Sequence, residues 1–538
     1  MYPEQLISKY DALKASRKVW ESHWQEVADY ILPRKNDITR SATAGEKKGF
    51  TLFDSTGPHS NELLASSLQG ILTNPATIWF ELITGDPAID DLDDVRRWLQ
   101  KQTRSMHRIL NNSNFQTEIH EVYLDLGAFG TGVLSIEEDD DKVVRFAARP
   151  LGEVCVDENN KGVIDCVYRC FKWNAKQIVA EFGLENVGRA VKQAYEKSSN
   201  DLFEIIHAVY PRSDEEKAKG RKASAETFPF ASVYVLKQDK HTLKTSGFRE
   251  FPYAIPRWTK VSGEIYGRSA GMTALPDIKL VNEMMKTILK GAQKTVDPPL
   301  MMPDDGVILP LKTQPGGLNY YRAGLQDPIK AFGADCRIDF GYQVMEDVRK
   351  RIRDAFYIDQ LQMAQGPQMT ATEVLQRTEE KSRLLGPVLG RQHSELLRPL
   401  IDRVFGIMLR RGLINPQEIP QVLRGRELDV EYSSLIAKSQ RVTEGQAIMR
   451  TLEASKFFVN ADPKTLDNFD GDSAVKHIAR IFGAPQEMLR DGVDVQKLRK
   501  GRDEANEASI AQQQAAATAD AMGKVMPAMA KAKEAGMV

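Results

Sequence analysis

Apolar residues recur at three- and four-residue steps along the first part of the chain, which is the spacing of one face of an α-helix. Leu6, Tyr10 and Trp24 belong to the first such series, and Pro33 ends it. Two later series repeat the same spacing. Together they predict helices over about 1–35, 59–72 and 91–110.

From about Val133 the pattern changes to short apolar runs separated by turns, which is typical of β-strands. The first two runs flank an acidic segment at 137–141, which is expected to be a hydrated turn rather than a cation site. The runs predict strands at about 133–136, 143–146, 163–171, 203–210, 232–236 and 251–258. The middle third therefore predicts a mixed α+β domain, with a solvated charged excursion at 213–226.

After Gly271 the helical spacing returns, and a helix is predicted from Asp277 to Thr295, ended by Pro298 and Pro299. One side of this helix is apolar and includes Leu280, Val281, Met284, Met285 and Ile288. The opposite side carries four lysines, Lys279, Lys286, Lys290 and Lys294. A basic face of this kind is usually a solvated surface, but it also suits weak phosphate contacts along which DNA can slide.

A turn-rich insert at 298–335 leads to a second helix, predicted at 339–358. Its apolar positions are Val344, Val348, Ile352 and Phe356, and Arg349 and Arg353 occupy other sides. A glutamine-rich loop at 359–370 follows and carries one formal charge. Its amides either offer neutral hydrogen bonds to a passing duplex or belong to a plain helix connector; they are Gln360, Gln362, Gln365 and Gln368.

Thr370 and Glu373 have the spacing of a capping box at a helix start. The long helix that follows is predicted to run to about residue 412, with bends at Pro387 and Pro399. The Ala- and Gln-rich tail from about 505 is expected to be helical or disordered. The chain thus predicts an α+β, mainly α fold with several domains, because its 538 residues exceed the roughly 250–300 that one hydrophobic core supports.

Composition narrows the functional classes. The 73 basic and 74 acidic residues leave a net charge of -1, so any contact with nucleic acid has to be local. No apolar segment approaches the roughly 20 residues that cross a bilayer, so no membrane association is expected. The four cysteines lack the spacing of a zinc site, and the sequence suggests no metal or other cofactor.

Two motifs bear on catalysis. The phosphate-binding pattern G-x-x-x-x-G-K-[ST] does not occur in the sequence, so a P-loop ATPase is not expected. Gly267 to Gly271 matches G-x-S-x-G, the nucleophile elbow of α/β-hydrolases, with Ser269 as the nucleophile. The alternating strands and helices of that fold are missing around it, so the start of a helix, made flexible by glycine, is the competing interpretation.

Several segments resemble the head-to-tail connector, or portal, proteins of short-tailed bacteriophages. They are FPYAIPRWTKVSGEIYGRSAG at 251–271, MTATEV at 369–374, LLGPVLG at 384–390 and ELLRPLI at 395–401. The N-terminal helix and FDST at 53–56 are similar as well. The resemblance leaves out only the C-terminal tail beyond about residue 485.

The resemblance implies a portal fold, with an α/β wing, a two-helix stem, a small clip insert, a kinked crown helix and a helical C-terminal part. On this chain the parts would be the wing at 1–270, the stem helices at 271–296 and 339–358, the clip at 297–338, the tunnel loop at 359–370, the long kinked helix at 371–412, the crown at 413–504 and the tail at 505–538.

The resemblance also implies a function without catalysis. A dodecameric ring, assembled in the cytoplasm of a bacterial host, would occupy one capsid vertex of the virion as a conduit for packaging and ejecting double-stranded DNA. It would dock the terminase large subunit, tail adaptor and nozzle proteins, and capsid and scaffolding proteins. Its stem channel would be lined by Lys279, Lys286, Lys290, Lys294, Arg349 and Arg353, and its tunnel loop by the four glutamines. A serine hydrolase using Ser269, and a tail or scaffold protein without a channel, stay open as alternatives.

Overall fold

The computed structural model divides the chain into two compact units. The first comprises residues 1–83 and 99–436, and the second comprises 84–98 and 437–538. The sites discussed below lie in the first unit. The residues described are 2–40, 43, 45–49, 52–90, 92–213, 225–296, 300–301, 330–331, 338–358, 385–426, 428–432, 445–456, 468–481, 488, 490 and 492–534.

Helices dominate this part of the chain. In chain order they are α1 Pro3–Ile31, α2 Thr56–Leu72, α3 Pro87–Asp90, α4 Asp93–Asn112, α5 Phe115–Phe129, α6 Ala175–Phe182, α7 Arg189–Glu196, α8 Ala270–Val296, α9 Ile338–Ala355, α10 385–392, α11 Arg398–Arg410, α12 445–456, α13 Gly471–Ile481 and α14 Gly492–Glu534. Among the described helices, none is both long enough and apolar enough to cross a membrane.

The strands form small antiparallel sheets. They are β1 Phe80–Ile83, β2 Leu134–Asp139, β3 Val143–Ala148, β4 Val154–Glu158, β5 Ile164–Asn174, β6 Leu202–Pro211, β7 Phe230–Leu236, β8 His241–Phe248, β9 Tyr253–Ala254, β10 Leu300–Met301, β11 Lys330–Ala331 and β12 Asp429–Tyr432. The sheet orders are β4-β5-β6-β7-β8, β3-β2-β9, β1-β12 and β10-β11. The fold is therefore mainly α with a β part, as the sequence predicts.

The five-stranded sheet is covered on both faces. Neighbouring residues of a strand point to opposite faces, and Ile205 and Ile206 of β6 accordingly belong to two different hydrophobic clusters. Ile206 shares its cluster with Leu6 and Tyr10 of α1, whereas Ile205 packs with residues of α6 and α7 such as Ile178. The N-terminal helix is thus a structural cover of the sheet.

The predicted strand at 251–258 shortens to two residues, Tyr253 and Ala254. Pro252 and Pro256 flank this pair, and neither has an N–H to donate to a neighbouring strand. The other predicted strands are confirmed with small shifts of their ends. An apolar run therefore predicts burial here more reliably than it predicts a strand.

Helix α5 was not expected from the sequence. Ten of its fifteen residues are buried, so it lacks the polar side that gives a surface helix its periodic pattern. It ends at Gly130, whose φ of 76° is the left-handed conformation that favours glycine at a helix end. The predicted N-terminal helix is confirmed, since α1 ends at Ile31, just before Pro33.

Candidate nucleic-acid interface

Helices α8 and α9, the two predicted stem helices, pack against each other in antiparallel orientation. Near the start of α9, a Cβ added to Gly341 would lie 3.2 Å from Ile288 Cδ1, late in α8. Near the end of α9, Arg351 forms an ion pair of 3.1 Å with Asp277, early in α8. The two helices are therefore antiparallel neighbours, and in the sequence they flank the segment at 297–338 where the clip is predicted.

The apolar stripes of these helices differ from the predicted ones at two positions. Val344 is 36% exposed, and Met345 is buried in its place beside Val348, Ile352 and Phe356. Leu280 is 47% exposed, whereas Val281 next to it is fully buried. Both exceptions lie at an edge of the apolar face. There a small rotation of the helix about its axis decides which of two neighbouring side chains is covered.

Helix α8 begins where two backbone segments meet closely. A Cβ added to Gly267 would lie 2.2 Å from the carbonyl oxygen of Gly130, and one added to Gly271 would lie 3.0 Å from that of Gly127. A side chain at Gly267 would collide with backbone. The two glycines of the G-x-S-x-G motif therefore allow the start of α8 to pack on the end of α5.

Ser269, between these glycines, is 2% exposed and caps α8. Its Oγ donates to the carbonyl oxygen of Ala128 at 2.7 Å and accepts a hydrogen bond from the Met272 N–H at 2.8 Å. This is the position and bonding of an N-cap serine. A nucleophile elbow would expose its hydroxyl, so these contacts favour the helix-start interpretation over the hydrolase.

The lysine face of α8 divides into a paired part and an open part. Lys279 Nζ lies 2.5 Å from Glu26 Oε1 of α1, and Lys286 Nζ lies 3.2 Å from Glu283 Oε1. Lys290 and Lys294, in the last two turns, are exposed and form no ion pair within the described part of the chain. The available positive charge is therefore concentrated at the end of the helix that leads into the insert.

The two candidate arginines of α9 are both engaged within the subunit. Arg349 lies 2.5 Å from Asp54, and Arg353 lies 3.1 Å from Glu346. Their assignment to a channel wall stays a prediction. The four candidate glutamines, Gln360, Gln362, Gln365 and Gln368, lie outside the described residues.

The FDST segment at 53–56 joins the two stem helices, which the sequence did not reveal. Asn282 Oδ1 of α8 accepts the Phe53 N–H at 2.7 Å, while the Asp54 carboxylate binds Arg349 of α9. Burial by itself would raise the pKa of Asp54, but hydrogen bonds from Thr56 and Arg349 outweigh it and hold the pKa below its usual range. The segment therefore holds an ionised carboxylate between the stem helices and α2.

A second connection joins two of the segments that carry the family resemblance. Arg257, 2% exposed, donates from its backbone N–H and its guanidinium to Glu395, with a shortest distance of 2.7 Å. The same guanidinium binds Glu158 at 2.9 Å, and the Gln392 amide donates to the Arg257 carbonyl oxygen at 3.0 Å. The segments at 251–271 and 395–401 thus meet in one buried charged cluster.

The long helix departs from α-helical geometry where it contributes this glutamate. Residues His393–Leu397 form a π-helical turn between α10 and α11. Pro399 lies two residues after this turn, and a proline inside a helix removes one N–H and clashes with the carbonyl four residues earlier, here that of Glu395. The wider turn relieves this clash, so the structure shows an irregular helix next to Pro399, where the sequence predicts a bend.

The acidic turn at 137–141 is exposed and contacts the end of α11. Glu138 lies 2.7 Å from Arg410, and Asp140 lies 2.9 Å from Arg411. In the described residues no group of three or more His, Cys, Asp or Glu side chains could hold a metal ion. These carboxylates therefore help to dock the helix on the β2–β3 hairpin.

Comparisons of the sequence with known proteins assign the chain to a family. The sequence profile described as "Bacteriophage head to tail connecting protein" matches residues 3–489. The chain is 34% identical over 534 residues to a probable portal protein of Bordetella phage BPP-1, covering 97% of this chain and 95% of that protein. It is 31% identical over 536 residues to the portal protein of Salmonella phage epsilon15, covering 97% and 94%, and 22% identical over 432 residues to that of Enterobacteria phage T3, covering 77% and 75%. The chain therefore belongs to the family of bacteriophage head-to-tail connecting proteins, the portal proteins of phage particles.

Proposed function

We propose that twelve copies of this chain form a closed ring at one vertex of the capsid, through which double-stranded DNA is packaged and later ejected. Similarity to phage portal proteins along 97% of the chain supports this role. A ring of this kind uses head-to-tail contacts that close by rotation, so two different surfaces of each subunit must be complementary. A nearly neutral chain with many charges of both signs is suited to such contacts.

The main structural support for a DNA conduit is the pair of exposed lysines at the end of α8. Lys290 and Lys294 are exposed and have no acidic partner in the described part of the subunit, whereas the other four candidate channel cations are all paired. A few weak phosphate contacts per subunit guide a duplex, whereas extensive charge neutralisation would hold it in place. In the ring, these two lysines would face the channel.

The remaining parts are assigned on the family resemblance. The insert at 297–338 would dock the terminase large subunit during packaging and the tail adaptor and nozzle proteins afterwards. Capsid and scaffolding proteins would contact the outside of the ring. The glutamine-rich loop at 359–370 would touch DNA through neutral amides, so changing Gln360 to Gln368 should stop duplex passage and leave ring assembly intact.

Electron microscopy of the purified protein, with native mass spectrometry to count subunits, tests this function. A closed dodecameric ring with an open central channel is expected. A compact monomer that persists across salt and protein concentrations would contradict it, and oligomers without a channel would favour a tail or scaffold role. The test concerns the assembled protein, because an isolated subunit has no channel.

A further inference from the structure

A cleft lies between the two larger sheets and α11, away from the stem. Its volume is about 330 Å³, near the lower end of the range of roughly 300–1,000 Å³ found for small-molecule sites. Residues of β2, β6, β7 and β8 form one side, and Arg403 and Arg410 of α11 form the other. A molecule bound here would contact both the wing and the long helix.

The ion pairs around the cleft leave one of its arginines without an acidic partner among the described residues. The three nearby glutamates are each bound by an arginine, as Arg149 with Glu137 at 2.8 Å, Arg410 with Glu138 and Glu250 at 2.7 Å, and Arg403 with Glu250 at 2.7 Å. Arg249 also lines the cleft, and no described acidic residue pairs with it. Among the charged residues that line the cleft, three arginines, Arg249, Arg403 and Arg410, stand against two glutamates, Glu137 and Glu138, and the resulting net charge of +1 suits a monoanion.

Two of the arginines that line the cleft offer donors for this anion. Arg249 is exposed, and its guanidinium lies over the ring of Phe228 at 5.0 Å from the ring centroid. Arg403 is 2% exposed, and its Nε has no hydrogen-bond partner among the described residues. A buried guanidinium N–H without a partner is costly, so an acceptor that enters the cleft and reaches it would be stabilising.

The rest of the wall is aromatic and neutral. The ring of His207 stacks on Tyr234 with centroids 3.9 Å apart, and its Nε2 lies 2.9 Å from Ser232 Oγ. Burial, with the nearby Arg169, Arg149 and Lys244, lowers the pKa of His207 to about 3, so its ring is uncharged near neutral pH. Phe228, Phe248 and Tyr253 also line the cleft. Flat aromatic walls of this kind favour an aromatic or apolar ligand body.

We propose that the cleft binds a small monocarboxylate with an aromatic or apolar body. The carboxylate meets the guanidinium groups of Arg249 and Arg403, and the body packs against Tyr234 and Phe248. This binding site is separate from the DNA conduit. Because α11 and β8 both contribute to it, the ligand stabilises the attachment of the long helix to the wing.

Benzoate is a suitable test compound, and benzamide is its neutral counterpart of nearly the same shape. Binding to the assembled, full-length protein is measured by isothermal titration and by the shift in melting temperature. Benzoate is expected to bind at least about tenfold more tightly than benzamide, the effect of one hydrogen bond to a charged group. Equal binding of the two compounds, or no saturable benzoate binding up to roughly 20 mM, would overturn the proposal.

Variants locate the site. Arg249→Gln should weaken benzoate binding about tenfold, and Arg249→Lys should restore part of the loss, because the charge returns without the planar fork. Arg189→Gln, an exposed arginine at the start of α7, makes the same change of charge away from the cleft and should leave binding unchanged. Unchanged affinity in Arg249→Gln, or an equal loss in Arg189→Gln, would show that the cleft is not the site.

Discussion

Two helical regions of the first unit differ in how their basic residues are surrounded. In α8, Lys290 and Lys294 point into solvent at the end of the helix. In α11, Arg403 and Arg410 both bind Glu250 at 2.7 Å, so their charges are used inside the subunit. Basic side chains thus attach α11 to the wing, whereas the two at the end of α8 have no acidic partner among the described residues.

The difference follows from burial. Arg403 is 2% exposed, and a buried charge without a partner is strongly destabilising. Its ion pair with Glu250 of the wing is therefore needed for stability. The exposed lysines are solvated and need no partner. We therefore expect substitutions of the buried arginines to lower stability, and substitutions of the exposed lysines to affect the proposed contact with DNA while leaving stability nearly unchanged.

The largest expected effect comes from breaking the buried cluster at the π-helical turn. Glu395→Ala removes the main partner of Arg257 and leaves a buried guanidinium with Glu158 as its one acidic partner among the described residues. Removing one member of a buried pair typically costs about 3–5 kcal/mol. Denaturation by urea at a fixed protein concentration should show a loss of this size.

Glu346→Ala is the matched control for this prediction. Glu346 pairs with Arg349 and Arg353 on the exposed side of α9, where such pairs contribute roughly 0–1 kcal/mol. Equal losses in Glu346→Ala and Glu395→Ala would mean that the long helix is not held by its buried charges, and the contrast with the stem would fail.

A smaller loss is expected from Ser269→Ala, which removes the cap of α8. Loss of an N-cap hydroxyl costs about 1 kcal/mol of the free energy of unfolding, which the same urea denaturation measures. Thr295→Ala near the other end of α8, whose hydroxyl bonds within its own helix, should cost less. Labelling of the wild-type protein by a serine-reactive probe that Ser269→Ala abolishes would instead revive the hydrolase alternative.

Asp54→Asn tests the ion pair that engages Arg349, one of the two candidate channel arginines. The pKa of Asp54 is lowered in the folded state, so its contribution to stability is present above the usual Asp pKa of about 3.9 and is lost as the pH falls. The difference in melting temperature between wild type and variant should be largest near pH 7 and shrink towards pH 3. The loss of unfolding free energy at pH 7 should be smaller in Asp54→Asn than in Ser269→Ala, because Arg349 keeps Glu346 as a second partner.

Asp94→Asn, a change at an exposed carboxylate in α4, is the control for the pH dependence. It should show no change in the difference across the same pH range. A constant difference between wild type and Asp54→Asn at all pH values would mean that Asp54 acts through packing rather than through its charge.

Periodicity predicted the regular elements but not the contacts that position them. The spacing of apolar residues was sufficient for α1 and the stem helices, because each has one buried face, and short apolar runs between turns were sufficient for most strands. It missed α5, which is buried on most sides, and it could not pair Arg257 with Glu395, which are 138 residues apart. Nothing local to Glu395 indicates a partner, since that depends on how the wing and the helix pack.

The same limit explains the stem. Helical spacing placed Lys279, Lys286, Lys290 and Lys294 on one side of α8, but it could not show that α1 supplies Glu26 to the first of them. The FDST segment was noticed as a resemblance, yet its role as the link between Asn282 and Arg349 required the tertiary structure. Sequence alone therefore identified a basic face and overstated how much of it is open.

The smallest effect on stability is expected from replacing the two exposed lysines at the end of α8. Lys290→Gln with Lys294→Gln should change the free energy of unfolding by less than about 0.5 kcal/mol, because exposed side chains without partners contribute little to folding. Ring assembly, followed by native mass spectrometry, should be unchanged. The amount of DNA in particles assembled with the variant should fall, and the difference from wild type should shrink at higher salt, where the wild-type lysine contacts with phosphate are weakened as well.

The control for this pair is Lys176→Gln with Lys197→Gln, which removes the same charge from exposed positions on and next to the helices that cover the five-stranded sheet. These particles should contain normal amounts of DNA. If both double variants package equally well, the open charge of α8 does not serve the conduit, and the contrast between the two helical regions reduces to a difference in burial. If only the Lys290 and Lys294 variant loses DNA, the two lysines that lack an acidic partner among the described residues are those that act on the duplex.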